Sequence, residues 1–327
     1  MARLHSATDQ APPVVRAPGT TEVRTTRKSD VFSPGMNAAQ PPLRTILFVP
    51  GNDRRKIGKA LGLGATAVML DLEDAVAASE KAAARAIVCE SALTAGAALI
   101  GVRINSPASG LAEADLDALA PALSRIALIT VPMVEGPDEI RHVAGRLDEL
   151  ERMSGLPEGG VALLAMAETA RGVLAAREIA ESSPRLRTFI FGPADLGREL
   201  GVEPTAEGIE YLHARSAIVL AARAAGKQGP VDGPYLKLDD DEGCAVSSNW
   251  ARRLGFQGKV VLHPRQLPIA AAAFATSERE LAWAREVDRA FAEAEASGLS
   301  SIKLADGTFV DDPVAQRARA ILRASDR

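Results

Sequence analysis

Glu168 and Asp195 are the two residues of this sequence whose type and position best suit chemistry at a metal ion. Each follows a short apolar run, at Val161–Met166 and at Thr188–Phe191. If these runs are neighbouring parallel strands, the two carboxylates meet at one edge of a sheet. Oxygen ligands without a nearby Cys or His suit Mg²⁺, with Mn²⁺ possible, rather than zinc. The alternative for each residue is capping of the next helix, and Asp195, in a Gly-Pro-Ala-Asp turn, is more open to it.

Arg103, in Val-Arg-Ile-Asn, is the third candidate, because a long cation in a buried strand is costly without an anion. A substrate carboxylate would satisfy its guanidinium bidentately. An ion pair with a neighbouring acid (Asp71, Glu73 or Asp74) is the alternative, and both arrangements can hold together. Arg103 belongs to a set of polar residues that follow the apolar runs of the chain: Asn52, Asp71, Glu73, Asp74, Arg103, Asn105, Glu135, Glu168, Asp195, Asp232 and His263.

Lysine is missing from the predicted polar edge. Lys227 and Lys259 fall at the starts of predicted strands, away from that edge. A Schiff-base aldolase needs a desolvated lysine, so that mechanism is disfavoured. No GxSxG elbow is present either. Metal-assisted enolate chemistry is the remaining interpretation of the acids and the arginine.

The elements that must position these residues repeat about every thirty residues, the size of a βαβ unit. Continuous apolar runs suit parallel strands that are buried on both faces. Eight such units predict a (β/α)₈ TIM barrel. An open doubly wound sheet is the alternative, weakened because no GxGxxG follows the first strand. The runs are Ile46–Pro50, Ala67–Leu70, Leu99–Ile104, Ile126–Val134, Val161–Met166, Thr188–Phe191, Gln228–Val231 and Val260–Leu262, and the helical segments between them include Glu80–Leu93, Asp138–Met153, Ala170–Glu181 and Glu207–Ala225.

Segments outside the repeat divide the chain into three parts. Residues 1–42 hold several prolines and no hydrophobic period, which indicates a disordered or loosely docked tail. Residues 43–275 form the predicted barrel. Residues 276–327 form an extension that is too small for a domain of its own. We therefore expect the extension to pack on the barrel or on a neighbouring subunit.

The extension has clear local signals. Ser277–Ser297 is predicted to be a charged helix that Ser277 and Glu280 open with a capping box. Asp306-Gly307 between two short apolar runs, Ile302–Leu304 and Thr308–Val310, predicts a hairpin. Asp312 and Pro313 are then predicted to be the N-cap and first residue of a last short helix.

Composition restricts the function classes. The 327 residues are 47% hydrophobic and 24% charged, with a formal net charge of −4, which is the balance of a globular enzyme. Because acids and bases are interspersed, neither a nucleic acid nor a membrane is expected as a partner. The two cysteines, Cys89 and Cys244, form no disulfide framework, and a reducing cytoplasmic location is the default. No apolar run reaches the length of a membrane span.

Long motifs in fixed order resemble the citrate lyase beta subunit-like family of the HpcH/HpaI aldolase superfamily. The resemblance covers Leu43 to the end of the chain. The segments that carry it are Leu47–Asn52 (LFVPGN), Leu70–Val76 (LDLEDAV), Val102–Asn105 (VRIN), Glu168–Val173 (ETARGV), Phe191–Leu196 (FGPADL), Val231–Tyr235 (VDGPY), Leu254–Phe256 through His263-Pro264, and Val310–Pro313 (VDDP).

The resemblance implies a TIM barrel with Mg²⁺ held by Glu168 and Asp195, and Arg103 on the substrate carboxylate. It implies CoA thioesters of the citramalyl-CoA, malyl-CoA or citryl-CoA type, cleaved to acetyl-CoA and a 2-oxo acid. It also implies homotrimers in which Asp311 reaches a neighbouring active site and exchanges the proton at the enolate carbon. We assign catalytic roles to Arg103, Asp311 and Glu73, and substrate binding to Arg103 with Gly192, Pro193 and Ala194.

One departure from the family pattern is expected to affect substrate preference. Relatives usually read Leu-Pro-Lys-Val-Glu after the fourth strand, whereas this chain has Met133 at the lysine position. Three alternatives to the CoA lyase stay open at this point. They are an aldolase on free 2-oxo acids, a component of a multi-subunit citrate lyase, and a catalytically silent binding or assembly subunit.

Overall fold

A closed barrel of eight parallel strands carries the polar edge. The computed structural model describes residues 40–205 and 208–325. The strands follow one another in chain order, and the first pairs with both the second and the eighth, which confirms the predicted TIM barrel. They are β1 (Thr45–Pro50), β2 (Ala67–Asp71), β3 (Ile100–Arg103), β4 (Ile126–Val131), β5 (Ala162–Ala167), β6 (Leu186–Phe191), β7 (Val231–Asp232) and β8 (Gly258–Val261).

Helices return the chain from the end of each strand to the start of the next. Short 3₁₀ turns at Ala78–Glu80, Pro107–Ser109, Ala120–Arg125 and Ile209–Tyr211 complete the connections. The barrel helices are α1 (Arg54–Leu61), α2 (Lys81–Thr94), α3 (Ala112–Leu119), α4 (Pro137–Met153), α5 (Ala170–Leu174), α6 (Ala176–Glu181), α7 (Pro193–Leu200), α8 (Leu212–Ala224), α9 (Asp241–Leu254) and α10 (Gln266–Phe274).

The strands bury side chains on both faces, as their continuous apolar runs predict. Inward-facing residues such as Ile46, Leu128 and Leu164 fill the barrel. Outward-facing residues join a larger core beneath the helices. Gly101 shows how tightly the interior is filled, because a Cβ there would lie 2.9 Å from Sδ of Met69. Interior packing therefore leaves the strand ends as the place for a site.

Several element bounds differ from the predicted ones. The predicted helix Ala170–Glu181 is two helices, α5 and α6. The predicted helix Glu207–Ala225 begins at Leu212, and Glu207 itself lies outside the described residues. Strand β4 ends at Val131, before Pro132. Strand β8 begins at Gly258, two residues before the predicted run, so Lys259 is the second residue of the strand and lies at its start, as predicted.

The C-terminal extension has a small core of its own. Helix α11 (Glu278–Ala296) begins at the predicted capping box of Ser277 and Glu280. Strands β9 (Ser301–Lys303) and β10 (Phe309–Asp311) form the predicted hairpin, and α12 (Asp312–Ser325) follows. These elements bury one another's apolar side chains, so the hairpin does not depend on an outside surface to cover it. The core residues are Ala284, Val287, Phe291, Leu304, Val310, Ala315 and Ala318.

Within residues 40–205 and 208–325, no helix is both long and apolar enough to cross a bilayer.

Candidate functional site at the barrel mouth

The mouth of the barrel is the opening at the carboxyl ends of its strands. Arg103 and Asp71 lie side by side there because β2 and β3 pair in a register that sets Asp71 opposite Arg103. Nε of Arg103 donates to Oδ1 of Asp71 at 2.8 Å, and Nη2 donates to Oδ2 at 2.5 Å. This fork is the most specific geometry an arginine and a carboxylate can form. Arg103 is 8% exposed, and the Phe48 ring lies beneath its guanidinium at 5.3 Å. The predicted ion pair between Arg103 and a neighbouring acid is therefore present.

Two more acids share the same guanidinium. Nη1 of Arg103 lies 2.6 Å from Oε2 of Glu73 and 3.4 Å from Oδ2 of Asp74. Burial raises the pKa of Glu73 to about 8, and the nearby charges of Asp74, Glu168 and Asp71 add to the rise that Arg103 opposes. Glu73 Oε2 is buried without a hydrogen-bond partner of adequate geometry. The mouth therefore carries more negative charge than its arginine compensates.

Backbone contacts fix the segment that carries Glu73. The Asp71 carboxylate accepts the N–H groups of Glu73 at 2.9 Å and Ala75 at 3.2 Å. Lys81 donates its ammonium to the carbonyls of Leu72 and Glu73, both at 2.9 Å. Asp71 thus orients Arg103 through its side-chain fork and Glu73 through its backbone, which couples the positions of the two groups.

Asn105 is a structural anchor rather than a residue of the mouth. Its Nδ2 donates to the Leu72 carbonyl at 3.0 Å and to Asp115 at 2.7 Å. Asp115, on α3, also accepts the Asn105 N–H at 2.7 Å and Nε of Arg85 at 2.6 Å, and it is fully buried. Sequence reasoning missed Asp115, which lies inside a helix with ordinary acidic neighbours. This network supports the Glu73 segment from behind.

Glu168 and Asp195 follow adjacent strands, as predicted. Glu168 is 3% exposed, and its Oε1 accepts the Met133 N–H at 2.7 Å. Burial raises the pKa of Glu168 to about 7; the bond from Met133 and the charge of Arg103 oppose this rise, and the charge of Asp195 adds to it. Asp195 lies in the first turn of α7 and accepts Nη2 of Arg198 at 2.9 Å. The Asp195 carboxylate is therefore close enough for its charge to act on Glu168.

The donor set fits a magnesium ion. In the described parts of the chain, no group of three or more Asp, Glu, His or Cys side chains is arranged to enclose a metal. Mg²⁺ keeps several waters and is commonly bound through one or two carboxylates, which Glu168 and Asp195 can supply. The raised pKa of buried Glu168 and the three acids that share Arg103 both indicate negative charge that a cation would offset.

Gly192, Pro193 and Ala194 form the turn that brings Asp195 to the mouth. The Gly192 N–H donates to the Ala167 carbonyl at 3.1 Å, which ties the turn to β5. A Cβ on Gly192 would lie 2.5 Å from Oε2 of Glu168, so only glycine fits here. Pro193 is the first residue of α7 and Ala194 is exposed. Substrate binding by these residues stays a prediction.

Asp232 was placed at the mouth by the sequence, and the structure corrects this placement. Its side chain is fully buried and binds Nζ of Lys259 at 2.6 Å and Nε of Arg215 at 3.0 Å. Lys259 also donates to Ser247 on α9. The cluster therefore lies in the helix layer, because alternate residues of a strand face opposite sides. Lys259, although inside β8, is engaged there and adds no lysine to the mouth.

The remaining predicted residues lie at the rim. Asn52 donates to Glu80 at 2.7 Å. Glu135 lies 3.7 Å from Nε of Arg171, and both side chains are substantially exposed. His263 is exposed and accepts the Arg265 N–H at 3.2 Å.

Asp311 lies in the extension, where it has a local role. Its Oδ1 accepts the Val314 N–H at 3.3 Å, three residues on, which is the contact of an N-cap. Helix α12 begins at Asp312, so Asp311 is the cap that the sequence had assigned to Asp312. Two successive acids therefore do not by themselves require a catalytic role for Asp311. Among the described residues, no hydrogen bond or ion pair joins Asp311 to the mouth.

A (β/α)₈ barrel with an arginine and five acids at the carboxyl ends of its strands defines a barrel enzyme with an acidic mouth. The HpcH/HpaI aldolase/citrate lyase family model matches residues 44–264. The chain belongs to this family, and its assignment as an enzyme of the carbon–carbon lyase class is confirmed by a relative named citrate lyase.

Relatives extend the match beyond the barrel. The citrate lyase subunit beta of Leuconostoc mesenteroides subsp. cremoris is 33% identical over 285 residues, covering 86% of this chain and 93% of that protein. The (3S)-malyl-CoA thioesterase of Cereibacter sphaeroides is 36% identical over 287 residues, covering 87% and 95%. The solved structure of CitE from Mycobacterium tuberculosis in complex with magnesium, acetoacetate and coenzyme A has a TM-score of 0.69 and 32% identity, covering 89% and 100%.

Proposed function

We propose that this chain is a Mg²⁺-dependent lyase that cleaves a 3-hydroxyacyl-CoA of the citramalyl-CoA, malyl-CoA or citryl-CoA type to acetyl-CoA and a 2-oxo acid. The observation that carries the proposal is the juxtaposition of Glu168 and Asp195 with the acid-held Arg103 at one barrel mouth. A similar structure binds magnesium, acetoacetate and coenzyme A, which supports the ligand classes. Mn²⁺ is the alternative metal.

The chain's own groups divide the work of cleavage. Glu168 and Asp195 would hold Mg²⁺, which supplies Lewis-acid polarisation of the substrate oxygen that becomes the ketone. In the described residues, three of the five Arg103 N–H groups are hydrogen-bonded to Asp71 and Asp74. The remaining donors are available to a substrate carboxylate and to Glu73.

Proton transfer completes the reaction. Glu73, whose pKa near 8 lies close to a working pH, takes the proton of the substrate hydroxyl. The carbon–carbon bond then breaks, and its electron pair passes to the acetyl-CoA enolate. An acid returns a proton to the enolate carbon, and we assign this role to Asp311 of a neighbouring subunit in a cytoplasmic homotrimer. Gly192, Pro193 and Ala194 bind the substrate beside Arg103.

A panel of CoA thioesters tests the proposal. Metal-free enzyme is incubated with each thioester, with and without Mg²⁺, and acetyl-CoA, free CoA and 2-oxo acid are quantified. We expect Mg²⁺-dependent acetyl-CoA in equal amount to a 2-oxo acid, and its loss in Glu168→Ala with the fold retained by circular dichroism. Free CoA without acetyl-CoA would mean thioester hydrolysis, and cleavage only of free 2-oxo acid aldols would remove CoA from the proposal.

A further inference from the structure

Met133 holds a backbone conformation that side-chain-bearing residues rarely adopt. Its φ is 53°, the one positive φ on a residue other than glycine in the described parts of the chain. For L-residues this left-handed region brings Cβ close to the backbone, and glycine, asparagine and aspartate tolerate it best. Such conformations persist only where the surroundings impose them, and they concentrate at functional sites.

Contacts on both sides impose the conformation of the Met133 segment. On the α4 side, Oε2 of Glu139 accepts the Gly136 N–H at 3.1 Å. On the α5 side, the Val134 carbonyl packs so closely on Gly172 that a Cβ there would lie 2.2 Å from its oxygen. The segment is therefore anchored after Met133 by two helices, and the turn between β4 and α4 has little freedom to relax.

The backbone N–H of Met133 donates a hydrogen bond to Glu168, which is one of the two candidate metal ligands. The Met133 N–H donates to Oε1 of Glu168 at 2.7 Å. Glu168 is 3% exposed, so its carboxylate has little access to water. Within residues 40–205 and 208–325, this N–H is the single hydrogen-bond donor to that carboxylate. Oε2 lies against Gly192, where a Cβ would be only 2.5 Å from it, so the glycine makes room for the carboxylate.

We propose that the left-handed backbone of Met133 is the positioning element of the metal site. By binding Oε1, its N–H sets the rotation of the Glu168 carboxylate, which would present the carboxylate to the ion. The inference rests on the proposed function, because it takes Glu168 to be a Mg²⁺ ligand. It makes the backbone of Met133, rather than its thioether, the important feature. Substitutions of Met133 by residues that tolerate a positive φ should therefore preserve metal binding, whereas substitutions by residues that disfavour a positive φ should weaken it.

Substitutions that differ in tolerance of positive φ test this idea. Met133→Gly and Met133→Asn should keep Mg²⁺ affinity within about threefold of the wild type, whereas β-branched Met133→Ile should lower it about 10- to 100-fold, the range for groups that orient metal ligands. Met153→Ile, at an exposed methionine on α4, is the matched control and should change nothing. Affinity is measured by calorimetry on metal-free enzyme, and Tm is recorded separately.

A second variant, on α5, tests the hydrogen bond from Met133 to Glu168 without changing either residue. Gly172→Ala forces the Val134 carbonyl away and should weaken Mg²⁺ binding about tenfold or more without touching Met133 or Glu168. It also serves where Met133→Ile does not fold. A fall in Tm with unchanged Mg²⁺ affinity in these variants would give Met133 a merely structural role and overturn the inference. Absence of Mg²⁺ binding by the wild type would instead overturn the proposed function, and the inference with it.

Discussion

Arg103 shows how a residue can be both paired and functional. Its fork with Asp71 uses one edge of the guanidinium, and the third nitrogen faces Glu73 and Asp74. A buried arginine that satisfied only the fold would need one acid, whereas this one has three at the edge of an open mouth. The excess of acids marks the position as one where a cation is expected, and the proposed substrate carboxylate would use the Arg103 N–H groups that Asp71 and Asp74 leave free.

Replacing Arg103 by lysine tests the planar fork. The lysine variant keeps the charge but cannot bind Asp71 through two parallel N–H groups, so both the substrate contact and the Glu73 segment lose their orientation. We expect Arg103→Lys to lower kcat/KM by about 100-fold, the cost of a misplacement near 1 Å. Arg141→Lys, at an exposed pair on α4, is the control. An Arg103→Lys enzyme with wild-type kcat/KM would reduce Arg103 to an ion-pair residue.

Glu73 gives the metal-free protein a pH dependence with a defined sign. Its folded pKa of about 8 lies above the ordinary 4.5, so the folded state binds the proton more tightly than the unfolded chain does. Its contribution to stability is therefore complete below pH 4.5 and is lost as the pH rises to 8, by up to about 1.4 kcal/mol per pH unit. Urea unfolding across this range should show a shallower loss of stability for Glu73→Gln than for the wild type.

The control for this titration is Glu286→Gln, on the exposed face of α11. Its pH profile should run parallel to that of the wild type. If the stability of Glu73→Gln also followed the wild-type pH profile, the carboxyl of Glu73 would be charged at neutral pH in the folded protein. Its assignment as a base with a raised pKa would then fail.

At the scale of elements, α3 supports the mouth through one buried carboxylate. Asp115 accepts hydrogen bonds from Asn105 and Arg85, and Asn105 in turn holds the Leu72 carbonyl. Asp115→Ala leaves these buried donors without an acceptor, a loss of about 3–5 kcal/mol. We expect Tm to fall by about 10 °C, given about 2–4 °C per kcal/mol for a domain of this size.

Asp117→Ala is the matched control on the same helix. Asp117 pairs with Arg146 at the surface, where ion pairs contribute at most about 1 kcal/mol. Scanning calorimetry of both variants separates the two positions. Equal, small shifts would mean that water replaces Asp115 in the network.

The helices and strands were predicted well from the sequence. Which side of the barrel wall each side chain at a strand end faces was predicted less well. Eight strands followed from apolar runs at regular spacing, and Arg103 and the acids at the ends of β2, β5 and β6 do reach the mouth. Asn105 and Asp232 were misplaced because a strand end offers two faces, and the choice depends on a register that one sequence does not contain. The strain at Met133 could not be predicted either, since it arises from contacts with α5 and Glu168, distant in the chain.

At the scale of the whole molecule, the extension raises the question of where Asp311 acts. Because Asp311 also caps α12, alanine would remove a cap and a carboxylate together. Asp311→Ser keeps a capping oxygen and removes only the acid. We expect Asp311→Ser to be well folded and inactive.

Mixing Asp311→Ser with Glu168→Ala subunits tests the proposed sharing of sites. A mixed homotrimer would contain some mouths with an intact metal site and an intact Asp311 from a neighbour, so activity should partly return. Native mass spectrometry verifies that subunits exchange. Exchange without recovery would confine Asp311 to its own chain or to its cap.

Strand β7 is only two residues long, so the backbone pairing that closes the barrel is weaker at β7 than elsewhere. It meets β6 at Ile190 and Val231 alone, whereas β5 and β6 pair along their length. The Thr188 hydroxyl reinforces this seam, because its one proton is shared between the Gln228 and Gly229 carbonyls at 2.8 and 3.0 Å. Amide hydrogen exchange should therefore be fastest around β7 and slowest along β1 to β5, because sub-global openings begin where backbone pairing is sparsest. The arginine–acid cluster on β2 and β3 would then stay assembled while the far side of the barrel opens and closes.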